Sequence, residues 1–551
     1  MTKPTTRSVR KFAREHLGLA ELRPGQEEAI LSVLGGRDTL AIMPTGSGKS
    51  AIYQIAGGMR RDLTLVISPL IALQRDQVET LRQIDEGWAV ELNSSLSASQ
   101  REETLRRVRE GAVTFLFLAP EQLDNEETFG VLQAARPSLV VVDEAHCVTD
   151  WGHDFRPDYL HLAPRIADLG QPTVLALTAT AAPRVQKEIV ERLGMRDPKI
   201  FVHDFDRPNI HLTVRRFHDE PAKLEALLDA VAGHELPGIV YAARRRDTDA
   251  IAKALGERGI RASAYHAGLK SSDRDAIQDA FMRNDLDVIV ATIAFGMGID
   301  KPNVRFVFHF DISDSIDAYY QEIGRSGRDG EPADAVLFYL PEDLKLRRFQ
   351  SGAGQIVQDE VVQVVEEIAT AEGPVDPSTL QAKARADLSD TALTRILDRL
   401  EDVDAISMDA DGMVDAQDTD ADPEEIAQAA VEAHGVLRQY EQSRVEMIRQ
   451  YADLETCRRA FLLRYFDQNA DDWCGYCDNC ASGSTERAQI VDQRFPDNAT
   501  VMHVEWGEGK VMQNEEETIT VRFDSVGYKT LAIDLVDRGG LLTLAEPSDT
   551  G

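Results

Sequence analysis

The sequence predicts an α/β protein with two tandem parallel-sheet lobes, followed by a helical region and a small β-rich region. Short Val/Leu/Ile runs alternate with helical stretches over residues 30–180, and the same alternation returns over residues 225–340. After Pro341 the pattern changes to amphipathic helices, and residues 500–545 return to short β-type runs interrupted by glycine. Apolar runs that end at turn signals are typical of buried parallel strands joined by helical crossovers.

Each lobe contains five such runs. Those of the first lobe are DTLAIMP, LTLVISPL, VTFLFLAP, SLVVVDEAH and PTVLALTAT. Those of the second lobe are GIVYAARRR, RASAYHAG, LDVIVATIAFG, VRFVFHFD and DAVLFYL. The segment FDRPNIHL separates the two sets. We therefore expect a first lobe at 1–205 and a second lobe at 206–348.

The helical region predicts a winged-helix-like insert at 349–426. Residues 359–371 and 389–402 have the apolar spacing of amphipathic helices. Asp376-Pro377-Ser378 and Ser389-Asp390 are typical helix starts, and SMDADGMVDA follows as a possible wing.

Negative charge is concentrated in the second half of the chain. The formal net charge is -34, of which residues 1–350 contribute -8 and residues 351–430 contribute -16. The near balance of the N-terminal part permits a local basic groove, whereas the insert is strongly acidic. Its third helix carries four acidic residues against two basic ones: Asp390, Asp398, Glu401, Asp402, Arg395 and Arg399. Because such a helix repels phosphate, a protein-facing or structural role is favoured over DNA reading.

Composition excludes several classes of protein. No apolar run approaches the length of a membrane span, and the N-terminus has no apolar signal-peptide region. Five cysteines are too few for a disulfide framework in 551 residues, and four of them lie in one short stretch. We therefore expect no membrane partner and a cytoplasmic protein.

The segment MPTGSGKS, residues 43–50, predicts a phosphate-binding loop between a strand and a helix. Glycines let backbone N–H groups surround phosphate at a helix N-terminus, where the helix dipole also favours anions. The expected contacts of ATP in this loop are Thr45, Gly46, Ser47, Gly48, Lys49 and Ser50. Lys49 would reach the β- and γ-phosphates, and Ser50 would bind Mg²⁺. The alternative is an ordinary tight turn.

The segment VVVDEAH, residues 140–146, favours the catalytic interpretation of that loop. An apolar strand ends at two adjacent carboxylates, where ligand sites of α/β sheets lie. Asp143 is suited to Mg²⁺ coordination, and Glu144 to positioning and deprotonating the attacking water. The alternative for such a pair is a solvated loop.

Seven segments together resemble the ordered motif set of superfamily-two helicases, in the version found in the RecQ family. They are LRPGQ (22–26), MPTGSGKS (43–50), SPLIALQRDQV (68–78), DEAH (143–146), LTAT (177–180), ATIAFGMGIDKPNVR (291–305) and QEIGRSGRDG (321–330). The resemblance implies two RecA-like lobes with ATP bound between them. It implies adenine recognition by Arg23 and Gln26, and contact with the triphosphate from the second lobe by Gln321, Arg325 and Arg328. The two arginines, three residues apart, are expected on one helical face.

The segment TDWGHDFRPDY, residues 149–159, resembles the aromatic-rich loop specific to RecQ proteins. Aromatic side chains can stack on any base. The residues implied in DNA contact or in coupling to the ATP site are His146, Trp151, His153, Asp154, Phe155, Arg156, Thr178 and Thr180. The segments ISPLIALQRDQ, YHAGL and ATIAFGMG would contact the phosphates of one strand without reading its sequence.

Four cysteines predict a structural zinc site. Cys457, Cys474, Cys477 and Cys480 have the spacing C-x16-C-x2-C-x2-C. Four thiolates converging on one tetrahedral ion indicate a closed structural Zn²⁺ site, and zinc is favoured over disulfides or free buried thiols. The stretch also resembles the RecQ zinc module, and we expect that module at 427–484.

The order of the C-terminal parts departs from the RecQ pattern. In that family a winged helix follows the zinc module, whereas here the helical insert precedes it. Residues 490–551 predict a small SH3- or Tudor-like β-barrel, and VMHVEWGEGKV with ITVRFDSVGYKTL resembles the tail of UvrD-type helicases. That resemblance implies RNA polymerase, or another protein, as a partner. Trp506, Phe523 and Tyr528 are either anchors for that partner or barrel core.

The sequence as a whole favours a DNA-dependent ATPase that unwinds single-stranded or partly duplex DNA with 3′–5′ polarity, in DNA repair or recombination. The polarity and the pathway come from the RecQ resemblance. The alternatives are a translocase that hydrolyses ATP without efficient unwinding, an RNA helicase, and an inactive scaffold. Intact Lys49, Asp143 and Glu144 argue against a scaffold.

Overall fold

The structure is a computed structural model of the 551-residue chain. It describes residues 4–69, 71–149, 159, 162–296, 299–345, 347, 356–371, 373–383, 388–408, 413–417, 421–485, 494–514 and 517–545. The chain divides into two compact units. The first contains Met1–Leu344, Met447–Asn498 and Met512–Glu517, and the second contains Lys345–Glu446, Ala499–Val511 and Thr518–Gly551.

The first lobe is a seven-stranded sheet with helical crossovers. Its strands are β1 (Thr39–Ile42), β2 (Thr64–Ile67), β3 (Ala89–Leu92), β4 (Phe115–Leu118), β5 (Leu139–Val142), β6 (Thr173–Thr178) and β7 (Lys199–Val202). Their order is β3-β4-β2-β5-β6-β1-β7, and the neighbouring strands are parallel. The helices are α1 (Thr6–Leu17), α2 (Gln26–Leu34), α3 (Ser50–Arg60), α4 (Ile71–Ile84), α5 (Ala98–Arg109), α6 (Glu126–Ala135), α7 (Leu162–Asp168) and α8 (Pro183–Arg192).

The second lobe is a six-stranded parallel sheet. Its strands are β8 (Ile210–Arg216), β9 (Gly238–Tyr241), β10 (Ala262–Tyr265), β11 (Val288–Ala291), β12 (Phe306–His309) and β13 (Ala333–Tyr339), in the order β10-β11-β9-β12-β13-β8. The helices are α9 (Glu220–Gly233), α10 (Arg245–Glu257), α11 (Ser271–Met282) and α12 (Ile316–Ile323). The predicted pair of parallel-sheet lobes is confirmed.

The register of three central strands brings the ATP motifs to one edge of the first sheet. Strand β6 lies between β1 and β5, with Ile42 paired to Thr178 and Val142 paired to Ala176. All three strands are buried, because helices cover both faces of the sheet. The segments that follow them therefore emerge side by side at the carboxyl edge, where open α/β sheets bind ligands.

The cysteine-rich part of the chain belongs to the first compact unit. A long helix, α16 (Pro423–Asp453), leads into it, and α17 (Arg458–Tyr465) and α18 (Asp478–Ala481) complete it. We call residues 447–485 the zinc segment. The domain boundary expected at 426/427 falls inside α16, whereas the compact units divide at 446/447, within the same helix.

The insert in the second unit has the winged-helix order that the sequence predicts. Helices α13 (Gln358–Ala369), α14 (Pro377–Lys383) and α15 (Asp390–Asp402) precede the antiparallel pair β14 (Ile406–Met408) and β15 (Val414–Ala416). Ser389 caps α15 by accepting a hydrogen bond from the backbone N–H of Ala392 at 3.2 Å. Buried aliphatic side chains from these elements form one core of their own.

The C-terminal region forms a five-stranded antiparallel sheet. Strands β16 (Thr500–His503), β17 (Gly507–Asn514), β18 (Thr518–Phe523), β19 (Gly527–Ala532) and β20 (Leu542–Leu544) have the order β19-β18-β17-β16-β20. The last strand beside the first is the arrangement expected of a small SH3-like domain. A helix, α19 (Ile533–Gly539), interrupts the β-type pattern predicted there. Phe523 and Tyr528 are buried, so the structure favours barrel core over partner anchor for these two side chains.

Within the described residues, no helix is both long enough and apolar enough to cross a membrane.

Candidate functional site

The phosphate loop has a backbone that only glycine adopts easily. Residues 43–49 join β1 to α3, and Gly46 and Gly48 both have φ of 77°. A Cβ on Gly48 would lie 2.7 Å from the side-chain nitrogen of Gln26. The left-handed turns and the close approach together require glycine at these positions. The predicted loop is therefore present at the N-terminus of α3.

Side chains outside the loop bind its backbone carbonyls. Gln26 Nε2 donates to the carbonyls of Ser47 and Gly48, at 2.9 Å each. Arg23 donates from its guanidinium to the carbonyl of Gly46, and its backbone N–H donates to Gln26 Oε1 at 2.8 Å. The two residues expected to recognise adenine thus also hold the loop in shape.

Lys49 is partly buried against the start of the same loop. Its Nζ donates to the carbonyl of Met43 at 3.1 Å. Burial lowers the pKa of Lys49, whereas the nearby carboxylates of Glu144 and Asp143 raise it. A desolvated cation held close to two carboxylates is a ready counter-charge for a polyphosphate.

The two carboxylates follow β5 directly. Burial, reinforced by Glu144, raises the pKa of Asp143 to about 7, although Lys49 lowers it. Glu144 has a left-handed φ of 50°, and its backbone N–H donates to Asp143 Oδ1 at 3.1 Å. Its Oε2 is buried without a hydrogen-bond partner. Strained residues with unsatisfied buried groups are typical of functional sites.

A histidine links the carboxylate to the threonine motif after β6. His146 Nδ1 lies 2.9 Å from Thr178 Oγ1 and 3.4 Å from Glu144 Oε2. Thr178 Oγ1 in turn donates to the carbonyl of Thr180 at 3.0 Å. The structure therefore brings His146, Thr178 and Thr180 together with Glu144, and their coupling role stays a prediction.

The expected helical face for the two arginines of the second lobe is wrong. Helix α12 contains Gln321, which is buried, but it ends at Ile323, before Arg325 and Arg328. Gly324 caps the helix, and both arginines lie in the turn that follows. Spacing by three residues therefore does not place their side chains on a common helical face.

The two arginines have different surroundings. Arg328 Nη1 donates to Asp300 Oδ1 at 2.7 Å and to the carbonyl of Ile299 at 2.6 Å. Its side chain lies against the phosphate loop, because a Cβ on Gly46 would meet Arg328 Cγ at 3.2 Å. Arg325 is buried beside Tyr241, and its Nε has no hydrogen-bond partner. Arg328 therefore contacts the phosphate loop, whereas Arg325 lies beside Tyr241.

The aromatic-rich loop lies outside the described residues. This applies to Trp151, His153, Asp154, Phe155 and Arg156, for which the DNA-coupling role stays a prediction. Tyr159, at the end of that segment, is described and buried. Its hydroxyl donates to the backbone carbonyl of Asp143 at 3.4 Å. Tyr159 lies within the segment TDWGHDFRPDY, but no role was predicted for it.

The four cysteines form a cluster that fits a tetrahedral zinc ion. The four Sγ atoms all lie within 4.8 Å of one another, and those of Cys474 and Cys480 are 3.9 Å apart. Tetrahedral Zn–S bonds of about 2.3 Å place sulfur atoms roughly 3.8 Å apart. The donor set and the spacing therefore fit a structural zinc site.

Backbone and side-chain bonds favour a thiolate at Cys474. Bonds from Cys457 and Cys477 lower the pKa of Cys474 to about 3. The backbone N–H groups of Tyr476 and Cys477 also donate to Cys474 Sγ, at 3.4 and 3.3 Å. The same bonds raise the pKa of Cys457, so without a metal they favour one thiolate, which is the form that binds zinc.

Family models match three consecutive parts of the chain. The DEAD/DEAH box helicase model matches residues 23–189, and the helicase conserved C-terminal domain matches residues 222–330. The RecQ zinc-binding model matches residues 416–481. The first two coincide with the two lobes, and the third includes all four cysteines.

Curated relatives give the same assignment. The chain is 35% identical over 490 residues to the ATP-dependent DNA helicase RecQ of Haemophilus influenzae, covering 89% of this chain and 66% of the relative. It is 44% identical over 329 residues to RecQ of Pasteurella multocida, covering 59% and 51%. It is 40% identical over 356 residues to the probable ATP-dependent DNA helicase RecS of Bacillus subtilis, covering 64% and 70%. The chain thus matches between half and two thirds of the length of the first two relatives.

Solved structures support the fold alone. The helicase Lhr of Mycobacterium smegmatis, bound to ssDNA and AMP-PNP, has a TM-score of 0.51 at 22% identity, covering 79% of this chain and 61% of that one. The helicase MrfA, bound to DNA and AMPPNP, has a TM-score of 0.53 at 18% identity, covering 76% and 63%. Together with two parallel-sheet lobes, the phosphate loop, the DEAH segment and the cysteine cluster, these comparisons show that the chain belongs to the RecQ family of superfamily-two helicases.

Proposed function

We propose that this chain is a DNA-dependent ATPase and 3′–5′ DNA helicase that acts in DNA repair or recombination. One observation carries the proposal. The carboxyl edge of the first sheet brings Lys49 and the Asp143–Glu144 pair together, and Arg328 of the second lobe lies against the same phosphate loop. Relatives at 35–44% identity are named as DNA helicases, which supports DNA as the nucleic acid.

The proposed roles follow from charge and position. Lys49, with the backbone N–H groups of the loop, binds the β- and γ-phosphates. Glu144 accepts the proton of the attacking water, and His146 orients its carboxylate. Gln321, Arg325 and Arg328 serve the triphosphate from the second lobe, where arginines stabilise the charge of the transition state. Of these last three, Arg328 has the most direct support, through its contact with the phosphate loop.

We propose that Asp143 and Ser50 hold Mg²⁺ with the nucleotide. Asp143 is a buried carboxylate whose pKa burial raises, and Thr45 Oγ1 and Ser47 Oγ are buried without hydrogen-bond partners. A cation and a triphosphate would neutralise that carboxylate and provide acceptors for those hydroxyls. When bound, Mg²⁺ neutralises charge on the phosphate oxygens.

A second candidate function is a single-stranded DNA translocase with little unwinding activity. The observation that favours it is the poor fit of helix α15 to a DNA groove. Arg399 is buried and forms an ion pair with Asp402 at 2.6 Å, so it does not face a phosphate. Arg395 is the other basic residue of that helix. An insert of this charge does not replace the DNA-binding winged helix that follows zinc in the family.

We further propose a protein partner for residues 490–551, with RNA polymerase the first to be tested. Trp506 remains the aromatic candidate there, since it is only partly buried and stacks on His503 at 4.0 Å between ring centroids. Action on chromosomal DNA would place the chain in the cytoplasm at the nucleoid.

ATP hydrolysis and strand displacement, measured on one set of substrates, test the proposal. The substrates are single-stranded DNA, forked duplexes with either a 3′ or a 5′ tail, and matched RNA. A helicase of the proposed kind hydrolyses ATP with DNA and separates the 3′-tailed fork. If DNA stimulates ATP hydrolysis but the strands are not separated, the chain is the translocase. If only RNA stimulates ATP hydrolysis, both the DNA helicase and the DNA translocase are refuted.

A further inference from the structure

The guanidinium of Arg207 joins the two lobes through backbone carbonyls. Arg207 lies in the segment between β7 and β8, at the crossover from the first sheet to the second. Its Nη1 donates to the carbonyl of Thr45 at 3.4 Å and to that of Gly324 at 3.3 Å. Its Nη2 donates to the carbonyls of Ser326 at 2.8 Å and Gly327 at 3.1 Å.

These acceptors belong to the two segments that must meet for hydrolysis. Thr45 is part of the phosphate loop, and residues 324–327 form the turn that contains Arg325 and leads to Arg328. The backbones approach closely, because a Cβ on Gly324 would collide with Thr45 Oγ1. A planar guanidinium with its donors in a fixed fork is suited to several carbonyls at once. One side chain therefore bonds to both segments.

The guanidinium of Arg207 is largely removed from solvent, and these hydrogen bonds to carbonyls replace its contacts with water. Burial lowers the pKa of the guanidinium, and the cation of Arg23 lowers it as well, whereas Tyr320 raises it. A guanidinium keeps its charge even so. All four acceptors are neutral carbonyls. Those of Gly324 and Gly327 have further donors in Arg328 Nε at 3.4 Å and Asn209 Nδ2 at 2.8 Å, whereas removal of the guanidinium takes from Thr45 and Ser326 the donor that Arg207 supplies.

The zinc segment supports the chain that carries Arg207. The backbone N–H of Phe205 donates to Gln468 Oε1 at 2.9 Å, and Gln468 Nε2 donates to the carbonyl of His203 at 3.1 Å. The ring of Phe466 stacks on that of Phe205, with centroids 4.5 Å apart and planes 13° from parallel. One amide and one ring thus fix the backbone just before Arg207.

Helix α17 of the zinc segment makes a second connection. It begins directly after the cysteine Cys457, and Arg459 lies in its first turn. Arg459 Nη2 donates to the backbone carbonyl of Arg207 at 3.3 Å, and its Nε lies 3.3 Å from Asp206 Oδ1. The first proposed zinc ligand is therefore two residues from a side chain that holds the crossover segment.

We propose that Arg207 is a positioning residue that sets the arginine-bearing turn against the phosphate loop, and that the zinc segment holds Arg207 in place. The proposal rests on the ATPase function and adds a link between the zinc site and the ATP site. Because metal binding stabilises the fold of its own segment, loss of zinc would release the crossover and lower ATP turnover. No residue of the zinc segment needs to touch the nucleotide.

Steady-state ATP hydrolysis at saturating DNA tests the role of Arg207. We expect Arg207→Gln to lower kcat about tenfold or more while KM for ATP changes less than about twofold, because misplacing transition-state groups costs turnover more than ground-state binding. Arg207→Lys keeps the charge without the fork and recovers part of the loss. Arg261→Gln is the control, since Arg261 is exposed and pairs with Asp287. A kcat for Arg207→Gln within about twofold of wild type overturns the proposal.

Gln468→Ala tests the support from the zinc segment with all four cysteines intact. We expect a full zinc content by elemental analysis together with a reduced kcat. In the double variant Arg207→Gln/Gln468→Ala, we expect kcat to be close to that of Arg207→Gln alone. The reason is that Gln468 acts on the ATP site through the segment that carries Arg207. A Gln468→Ala protein with normal zinc and normal kcat overturns this half of the proposal, and so does full additivity.

A distance measurement separates failure of this proposal from failure of the proposed function. Fluorophores are attached at Glu102→Cys in the first lobe and Glu257→Cys in the second, both exposed positions. Without nucleotide, Arg207→Gln should lengthen or broaden the distance distribution, whether or not the protein hydrolyses ATP. An unchanged distribution overturns the proposal. If Arg207→Gln does not fold, Arg207→Lys and Gln468→Ala are measured in the same way and decide the outcome.

Discussion

At the scale of single residues, several of the unsatisfied buried groups lie at the ATP site. Thr45 Oγ1 and Ser47 Oγ are buried and have no hydrogen-bond partner among the described residues, and Glu144 Oε2 has only a 3.4 Å contact with His146 Nδ1. Each such group costs about 1–3 kcal/mol. The cost falls at one edge of one sheet, beside Asp143, where a nucleotide with its cation would relieve it. Unsatisfied buried groups also occur elsewhere in the chain, so the support for the site comes from the position of these atoms beside Asp143.

Replacement of Glu144 separates binding from catalysis. We expect Glu144→Gln to bind ATP with near wild-type affinity and to lose about a hundredfold or more of DNA-stimulated hydrolysis, because an amide cannot accept the proton of water. Filter binding of nucleotide and steady-state hydrolysis are the measurements. Glu102→Gln, at an exposed position on α5, is the matched control. Normal turnover in Glu144→Gln would show that Glu144 is not the base.

A buried ion triad in the second lobe predicts a specific pH dependence of stability. Lys223 Nζ is 2.7 Å from Asp343 and 3.3 Å from Asp311. Burial raises the pKa of Asp343 to about 6, although Lys223 lowers it. The folded protein therefore holds this proton more tightly than the unfolded chain, whose Asp pKa is about 4.

The contribution of Asp343 to stability is consequently present below about pH 4 and is lost as the pH rises through about 6. Asp343→Asn cannot titrate at this position. We expect the thermal midpoint of the wild type, relative to Asp343→Asn, to fall between about pH 4 and pH 7. Midpoints that run parallel over this range would show that the carboxyl group is not shifted.

At the scale of elements, the sequence predicts the central strands but misses strands at the sheet edges. Each of the ten apolar runs contains a strand. The three missed strands are β3, β7 and β8, and all of them are edge strands. A strand at the edge of a sheet has a neighbouring strand on one side only. More of its side chains can therefore face water, and its sequence need not be a continuous apolar run. In β7, for example, Lys199, Ile200 and Val202 are exposed.

The parts of the site that sequence reasoning missed are made by distant contacts. Arg207 binds carbonyls that are 117 to 162 positions away along the chain. Its own neighbours carry no motif signal for that role. The helical placement of Arg325 and Arg328 failed for a local reason, since Gly324 ends α12 before them. The three-residue spacing places Arg325 and Arg328 in one motif, but it gives a common helical face only if the helix continues through both residues.

The zinc segment is the element whose stability depends most directly on a ligand. We expect one zinc per chain in the purified protein and its loss in Cys477→Ser. Loss of the metal should destabilise residues 447–485, because metal binding contributes folding free energy. Elemental analysis and hydrogen exchange over this segment are the measurements. Ser482→Ala, next to the cluster but outside the ligand set, is the control. Native protein without zinc would refute the site.

The aromatic-rich loop is expected to affect the stimulation of ATP hydrolysis by DNA. We expect Trp151→Ala and Arg156→Ala to leave ATP binding intact and to reduce the stimulation of hydrolysis by DNA. The physical reason is loss of base stacking and of a phosphate contact, at a segment whose end contacts the Asp143 backbone through Tyr159. Hydrolysis is titrated with single-stranded DNA. Equal stimulation in both variants and wild type would make the loop purely structural.

At the scale of the whole molecule, the order of parts along the chain distinguishes this protein from the family pattern. The lobes and the cysteine cluster match family models in sequence, but a winged-helix-like insert with a net charge of -16 over residues 351–430 precedes the zinc ligands. A small antiparallel sheet follows them. The proposed ATP chemistry is therefore the part of the function that the residues support most fully.

The rate of ATP hydrolysis by the purified chain, with and without saturating single-stranded DNA, tests the central claim most directly. The claim is that two lobes form an ATP site that nucleic acid activates. We predict a low rate alone, a rate at least about tenfold higher with DNA, and loss of the stimulated rate in Lys49→Ala. Equal rates with and without DNA, or a stimulated rate that survives in Lys49→Ala, would contradict the account.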